Sequence, residues 1–260
     1  MYPSIQIGPL TVWTYGLMIG VALCLAYILG EADFKRRGVA IPIGVFLPSM
    51  AVAGLIGAKI DYVIFIQWRV FHRAPWSGGW VAFFHYGYTW FGAVLAGISA
   101  AVALARLYKA PVLKVLDVIP VALLGPACGR LGCFLAGDGD YGIPTSLPWG
   151  VSFPHGIVPT TARVHPTPLY EMTYALILLA ILWRRGRTES YAHAWHGSQL
   201  AYYLLGAGIC RFFDEFLSRN VKVLAGLTEA QCVSVAFVLV AVALIFLHRR
   251  PSTLLQIRCA

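Results

Sequence analysis

AQCVSVAFVLVAVALIFL, residues 230–247, runs eighteen positions without a charged side chain. That length and composition match the roughly 20 apolar residues a helix needs to cross a bilayer. Three more charge-free stretches, 12–30, 38–58 and 87–105, read the same way. Three others are apolar but interrupted: 115–137 holds Asp117 and Arg130, 166–183 holds Glu171, and 197–216 holds Arg211, Asp214 and Glu215. The pattern predicts an all-α integral membrane protein with seven transmembrane helices.

Composition agrees with lipid as the solvent. Of 260 residues, 59% are hydrophobic and 12% charged, against roughly 25% charged in a soluble domain. An ordinary soluble globule is excluded, as is a disordered chain, which needs low hydrophobicity and high charge. Six cysteines are too few for a disulfide scaffold. The whole of 1–260 is expected to form a single polytopic membrane domain.

The basic residues orient it. No Lys or Arg precedes the first span, and Lys35, Arg36 and Arg37 follow it, the reverse of a secretory signal peptide with its basic leading region. With the N-terminus outside and the C-terminus cytoplasmic, the inner loops hold twelve of the twenty basic residues and the outer loops five, in accord with the positive-inside rule. The net charge of +9 is then an orientation signal at an anionic leaflet, and a nucleic-acid partner is not expected. Trp13, Trp68, Trp76, Trp80, Trp90, Trp149 and Trp183 fall near span ends, as an aromatic belt requires. The outer segments 67–86 and 138–165 are long and rich in Gly, Pro and aromatics, and 138–165 is expected to fold as a small extracytoplasmic cap. Substrate handling is expected on that side.

A charge at the bilayer centre costs roughly 2.5–3.5 kcal/mol on insertion scales, so ionisable residues within spans are functional candidates. Arg130 and Arg211 both lie toward the outer ends of their spans. A planar, permanently charged guanidinium binds phosphate oxygens bidentately, which suits an anionic phospholipid headgroup. Structural salt bridges to Glu171, Asp214 and Glu215 are the competing reading of the same two residues.

Around Arg130 the chain reads Gly129-Arg130-Leu131-Gly132-Cys133-Phe134-Leu135-Ala136-Gly137-Asp138-Gly139-Asp140-Tyr141-Gly142. Before it comes Tyr15-Gly16-Leu17-Met18, and after it His165-Pro166-Thr167-Pro168-Leu169-Tyr170-Glu171, Arg211-Phe212-Phe213-Asp214-Glu215-Phe216 and Gly226-Leu227-Thr228-Glu229-Ala230-Gln231. Together these resemble the bacterial prolipoprotein diacylglyceryl transferase family, whose signature is a Gly-Arg-aliphatic-Gly-Asn-Phe core followed by Asn-Gly-Glu and a further Gly. Each motif alone is short. Five in order, along nearly the whole chain, are specific.

The resemblance implies an inner-membrane enzyme that moves the diacylglyceryl group of phosphatidylglycerol to the lipobox cysteine thiol of a prolipoprotein and releases glycerol phosphate. Its partners would be that lipid, the prolipoprotein signal peptide and the surrounding membrane; no metal, nucleotide or other cofactor is implied. By similarity Arg130 grips the lipid phosphate, and Arg211 assists the leaving group or holds a second lipid position. Glu215, one turn beyond Arg211, can orient it. Tyr15 matches a functional tyrosine of the family, although as a lone residue it reads as a belt tyrosine. Cys133, Asp138, Gly142, His165 and Glu171 complete the implied substrate-binding set. His165 reads either as a proton acceptor near neutral pH or as a loop histidine bonded to backbone.

The chain departs from the family in two places. The usual His-Gly-Gly opening the third span, whose histidine is a proposed base, is Phe91-Gly92-Ala93. The signature asparagine is Cys133, and Asp138 stands where the signature glutamate is expected. A thiol's reference pKa of about 8.5 falls beside positive charge, so either the arginines generate thiolate without a dedicated base, or His165, Asp138 or Glu215 accepts the proton. A non-catalytic phospholipid-binding relative is the rival reading. A transporter is disfavoured, because the intramembrane charges gather toward one leaflet instead of lining a path. His193 and His196 read as solvated loop histidines, and the cysteines as small buried hydrophobes.

Overall fold

The computed structural model describes residues 2–64, 89–188, 197–220 and 222–249. The outer segment 67–86 with its three tryptophans, and His193 and His196, lie outside the described residues. Helices stand at each of the seven places that the hydropathy pattern predicts. Among the described residues, four helical segments are long and apolar enough to cross a membrane: Thr14–Arg37, Ile43–Ile64, Val112–Ala136 and Glu229–His248.

The elements follow in order. A hairpin of β1 (Ser4–Ile7) and β2 (Leu10–Trp13) leads into α1 (Thr14–Arg37), followed by α2 (Ile43–Asp61) and α3 (Trp90–Leu107). The interrupted fourth segment is made of three consecutive helical pieces, α4 (Val112–Leu116), α5 (Ile119–Ala122) and α6 (Leu124–Ala136). A second hairpin, β3 (Val151–Phe153) and β4 (Thr160–Val164), precedes α7 (Thr167–Thr188) and α8 (Ser198–Asp214). A short 3-10 turn, Glu215–Leu217, and a third hairpin, β5 (Lys222–Leu224) and β6 (Leu227–Thr228), lead into α9 (Glu229–Arg249). Each hairpin is antiparallel and two-stranded. These strands are the departure from a purely helical expectation, and all lie outside the apolar segments except the end of β2, whose Val12 and Trp13 open the first of them.

Two compact units form, Met1–Leu29 with Asp117–Ala260, and Gly30–Leu116. In the second, α2 and α3 pack at a glycine crossing. A Cβ on Gly57 would meet Ala96 Cβ and the Gly92 carbonyl, and one on Gly92 would meet the Gly57 carbonyl and Asp61 Cβ. Small residues let helix backbones approach closely where no hydrophobic force drives them together.

In the first unit, Leu123, Ala127, Ala175 and Leu182 form a buried cluster that joins α6 to α7. Asp117, costly at membrane depth, is consumed as a cap. Its carboxylate accepts the backbone N–H of Gly197 at 2.7 Å and of Leu200 at 3.1 Å, satisfying orphan donors at the start of α8. α9 begins with a reciprocal capping box: the Thr228 N–H donates to Gln231 Oε1 (3.0 Å), and the Gln231 N–H donates to Thr228 Oγ1 (3.3 Å).

Candidate active site

The site is built where α6, α7 and α8 present one cation, one anion and one cation toward each other. Arg130 comes from α6, Glu171 from α7 and Arg211 from α8. Glu171 bridges the two arginines, with Oε2 2.9 Å from Arg130 Nε and Oε1 3.1 Å from Arg211 Nη1. Asp140 also pairs with Arg130. Arg211 is held further by Asp214 at 3.2 Å and by the buried Glu215 at 2.7 Å. The guanidiniums therefore converge on one carboxylate, as the ion-pair reading of the sequence describes. The arginines are ion-paired, yet each keeps about a quarter of its side chain exposed.

That exposure opens on a cavity of about 360 Å³, within the size range of small-molecule sites. Arg130, Glu171 and Arg211 form one part of its wall, and Gly139, Asp140 and Tyr141 another. Thr167, Ser218, Arg219 and Asn220 complete it.

The wall is held by the hairpin segment 138–165. Tyr141 stacks on Phe153 at 4.8 Å between ring centroids, Phe134 meets Phe153 edge-on at 5.6 Å, and the Tyr141 hydroxyl donates to the Val158 carbonyl at 3.0 Å. The guanidinium of Arg219 packs over the Tyr141 ring, 4.3 Å from its centroid. Thr167 Oγ1 donates to the Asp140 carbonyl at 2.6 Å, and Asn220 Nδ2 donates to Glu215 at 2.7 Å.

The other candidates stand around the cavity without lining it. Tyr15, half-exposed on α1, packs on Gly132, where a Cβ would lie 3.1 Å from the Tyr15 Cα. Cys133 is buried, and its thiol hydrogen-bonds with Asp138. Burial pushes the Asp138 carboxyl above the ordinary aspartate range; the neighbouring Asp140 charge raises it further, while the Cys133 hydrogen bond and Arg130 oppose the shift. Cys133, Asp138 and Asp140 place their donor atoms within 4.8 Å of one another. Because Asp140 is engaged by Arg130, a metal ion there would face a fixed positive charge.

Gly142 has a steric reason. A Cβ there would meet the Leu217 carbonyl, with Thr167 Cγ2 at 2.9 Å and His165 Cβ at 3.0 Å. His165 exchanges backbone hydrogen bonds with Gly142 and Ile143, and its Nδ1 lies 3.3 Å from the Tyr170 hydroxyl, which in turn accepts from Trp149 Nε1 at 2.8 Å. The side chain of Phe91 lies outside the described residues.

Thr167, Tyr141, Arg219 and Asn220 reach the cavity wall without having been singled out from the sequence. Thr167 lies inside the quoted His165–Glu171 motif and Tyr141 inside the Arg130 motif, whereas Arg219 and Asn220 follow the Arg211 motif as unremarkable loop residues.

Comparison with known proteins adds lineage to this geometry. The model of the family described as prolipoprotein diacylglyceryl transferase matches residues 3–247. The phosphatidylglycerol–prolipoprotein diacylglyceryl transferase of Synechococcus elongatus is 31% identical over 239 residues, covering 89% of this chain and 81% of that protein. The protein of the same name from Gloeobacter violaceus is 33% identical over 257 residues, covering 95% and 93%. That from Nostoc sp. is 30% identical over 267 residues, covering 95% and 90%. With two arginines converging on a headgroup-sized cavity and a match along nearly the entire length, the chain belongs to the prolipoprotein diacylglyceryl transferase family.

Proposed function

We propose that this protein transfers the diacylglyceryl group of phosphatidylglycerol to the lipobox cysteine thiol of a bacterial prolipoprotein and releases glycerol phosphate. The observation that carries the reading is the convergence of Arg130 and Arg211 on Glu171 at the wall of one cavity. The lipid phosphate enters against Arg130 and Arg211 and displaces the half-exposed Asp140 carboxylate, while Glu171 and Glu215 keep the guanidinium planes aimed.

The thiolate sulfur attacks the glyceryl carbon that bears the phosphate ester. A C–S bond forms, the C–O bond breaks, and its electron pair moves to the phosphate oxygen. The thiol proton passes to solvent or to the departing phosphate. Cations fixed before the reaction lower the barrier because negative charge grows where they already point. The same positive field favours thiolate over thiol, so the chemistry runs with Phe91 in the position of the family's histidine. Tyr15, packed on Gly132, offers a phenol to a headgroup oxygen, and Cys133, Asp138, Gly142 and His165 hold the wall.

The protein is multi-pass in the bacterial cytoplasmic membrane, with seven spans, the N-terminus outside and the 138–165 segment as an outer cap. This orientation, supported by the distribution of basic residues, sets the arginine pair in the outer half of the bilayer, where both substrates arrive.

The test is complementation of a bacterium depleted of its own transferase, together with transfer from phosphatidylglycerol to a lipobox peptide in membrane vesicles. Wild-type protein is expected to restore growth and transfer, and Arg130→Ala to abolish both. A well-expressed wild-type chain that binds phosphatidylglycerol but transfers nothing would overturn the reading in favour of a binding protein.

A further inference from the structure

Charge accounting at the cavity exposes a deficit. Arg130 and Arg211 carry two positive charges, and four carboxylates, Asp140, Glu171, Asp214 and Glu215, lie within ion-pair distance of them. A phosphodiester enters with one negative charge, and a phosphate monoester leaves with up to two. The additional charge arises on the leaving oxygen at the moment the C–O bond breaks. A pair of arginines already outnumbered by acids is poorly placed to absorb it alone.

Arg219 differs from both. It lines the same cavity, and among the described residues no carboxylate forms an ion pair with it. Its anchors are neutral: Nη2 donates to the Gly139 carbonyl at 3.2 Å, and the guanidinium lies over the Tyr141 ring. Tyr141 is itself fixed by Phe153 and by the Val158 carbonyl. The side chain is thus positioned by contacts that leave its charge uncompensated. A guanidinium has five N–H donors, and the Gly139 bond engages one nitrogen only. Its charge is strongest toward whatever fills the cavity.

On the reading of the reaction given above, we infer that Arg219 is a third substrate-contacting cation, and that it binds the phosphate of the departing glycerol phosphate. It answers the growth of charge at the leaving group, while Arg130 and Arg211 orient the incoming phosphodiester. The proton and electron balance is unchanged: the electron pair of the broken C–O bond stays on the phosphate oxygen that Arg219 faces.

The test uses the full chain reconstituted in phosphatidylglycerol vesicles with a lipobox peptide, comparing Arg219→Ala, Arg219→Gln and Arg219→Lys. Arg219 is exposed, so the variants are expected to melt with the wild type. Removing one preorganised donor lowers kcat by about 10²–10³-fold in known enzymes, and that loss is expected for the Ala and Gln variants, with KM for the lipid changed far less. Arg219→Lys keeps the charge and is expected to recover at least part of the rate. Inhibition by added glycerol phosphate is expected to weaken in parallel, because the product's own contact is lost.

Wild-type kcat and wild-type product inhibition in Arg219→Gln would overturn the inference. So would equal loss in the Lys and Gln variants, which would mean that charge is not what Arg219 supplies. Binding of glycerol phosphate in the absence of peptide, followed by thermal shift, separates the two claims. Wild-type binding that Arg219→Gln loses, with no transfer by either protein, would sustain the phosphate site while the proposed reaction failed.

Discussion

At the scale of single residues, Glu171 is the keystone of the site. Its side chain is 10% exposed, and it separates two guanidiniums that otherwise face one another. Removing one member of a buried ionic network costs about 3–5 kcal/mol, and the lower end applies here because each arginine keeps some contact with solvent. Glu171→Ala is therefore expected to lower stability by about 3 kcal/mol in reversible unfolding and to abolish transfer. Unchanged stability with lost activity would instead make Glu171 a purely catalytic group. Asp138 gives a pH-dependent prediction. Its carboxyl titrates above the ordinary aspartate range, chiefly through burial. The folded state therefore holds the proton more tightly than the unfolded state, and Asp138 contributes most to stability below the ordinary aspartate pKa. That contribution is lost as pH rises through the elevated value. Asp138→Asn keeps an acceptor for the Asp140 N–H, which Asp138 Oδ1 receives at 3.3 Å. The variant is expected to melt higher than wild type at pH 7 and level with it near pH 4, a convergence that thermal melts across pH would reveal. Equal melting at both pH values would show that the raised pKa has no energetic consequence.

At the scale of elements, several positions that read as family signature turn out to have local mechanical reasons. Thr228 and Gln231 were legible as part of a motif, and the fold uses them as the capping box that starts α9. Gly142 and Gly132 were legible as signature glycines, and each stands where a Cβ would run into a neighbouring element. Arg219 was not legible, since it lies outside every span. Only the folding of 138–165 brings Gly139 and Tyr141 under its side chain. Asp117 was visible as an expensive charge, but its use 80 positions away depends on α8 starting beside it. Loss of a capping side chain costs about 0.5–2 kcal/mol, so Asp117→Ala is expected to destabilise by about that much while Asp117→Asn retains most of it. The α2–α3 crossing predicts more. Gly57→Ala places a methyl against the Ala96 side chain and the Gly92 carbonyl, and overpacking of this kind costs about 1–3 kcal/mol. Denaturant titration that found Gly57→Ala neutral would mean that the two helices separate at no cost.

At the scale of the whole molecule, each of the seven apolar stretches read from hydropathy coincides with helix among the described residues, and four of those helical segments are long and apolar enough to cross a membrane, because a bilayer demands long apolar runs and tolerates few alternatives. Hydropathy was less informative about the interrupted ones. The segment holding Arg130 breaks into three helical pieces, and α7 and α8 carry the ionisable residues that build the site. Buried charge and hydropathy pull against each other there, so the weakest apolar signals surround the candidate site. Orientation is the remaining global property, and basic residues near an anionic leaflet contribute about 1 kcal/mol each, so their uneven distribution is the basis for the orientation proposed above. Alkaline phosphatase fused in the loop at Gly150 is expected to be active, since the basic-residue distribution predicts that loop to be outside and the enzyme matures only after export. Fused at Ala110, between Lys109 and Lys114, it is expected to be inactive, and a fluorescent protein at the C-terminus is expected to mature in the cytoplasm. The opposite pattern would place Arg130, Arg211 and Arg219 in the inner leaflet. A prolipoprotein cysteine carried outward by its signal peptide would then reach the site from the wrong side, and the proposed reaction would lose its geometry even with every ion pair in place.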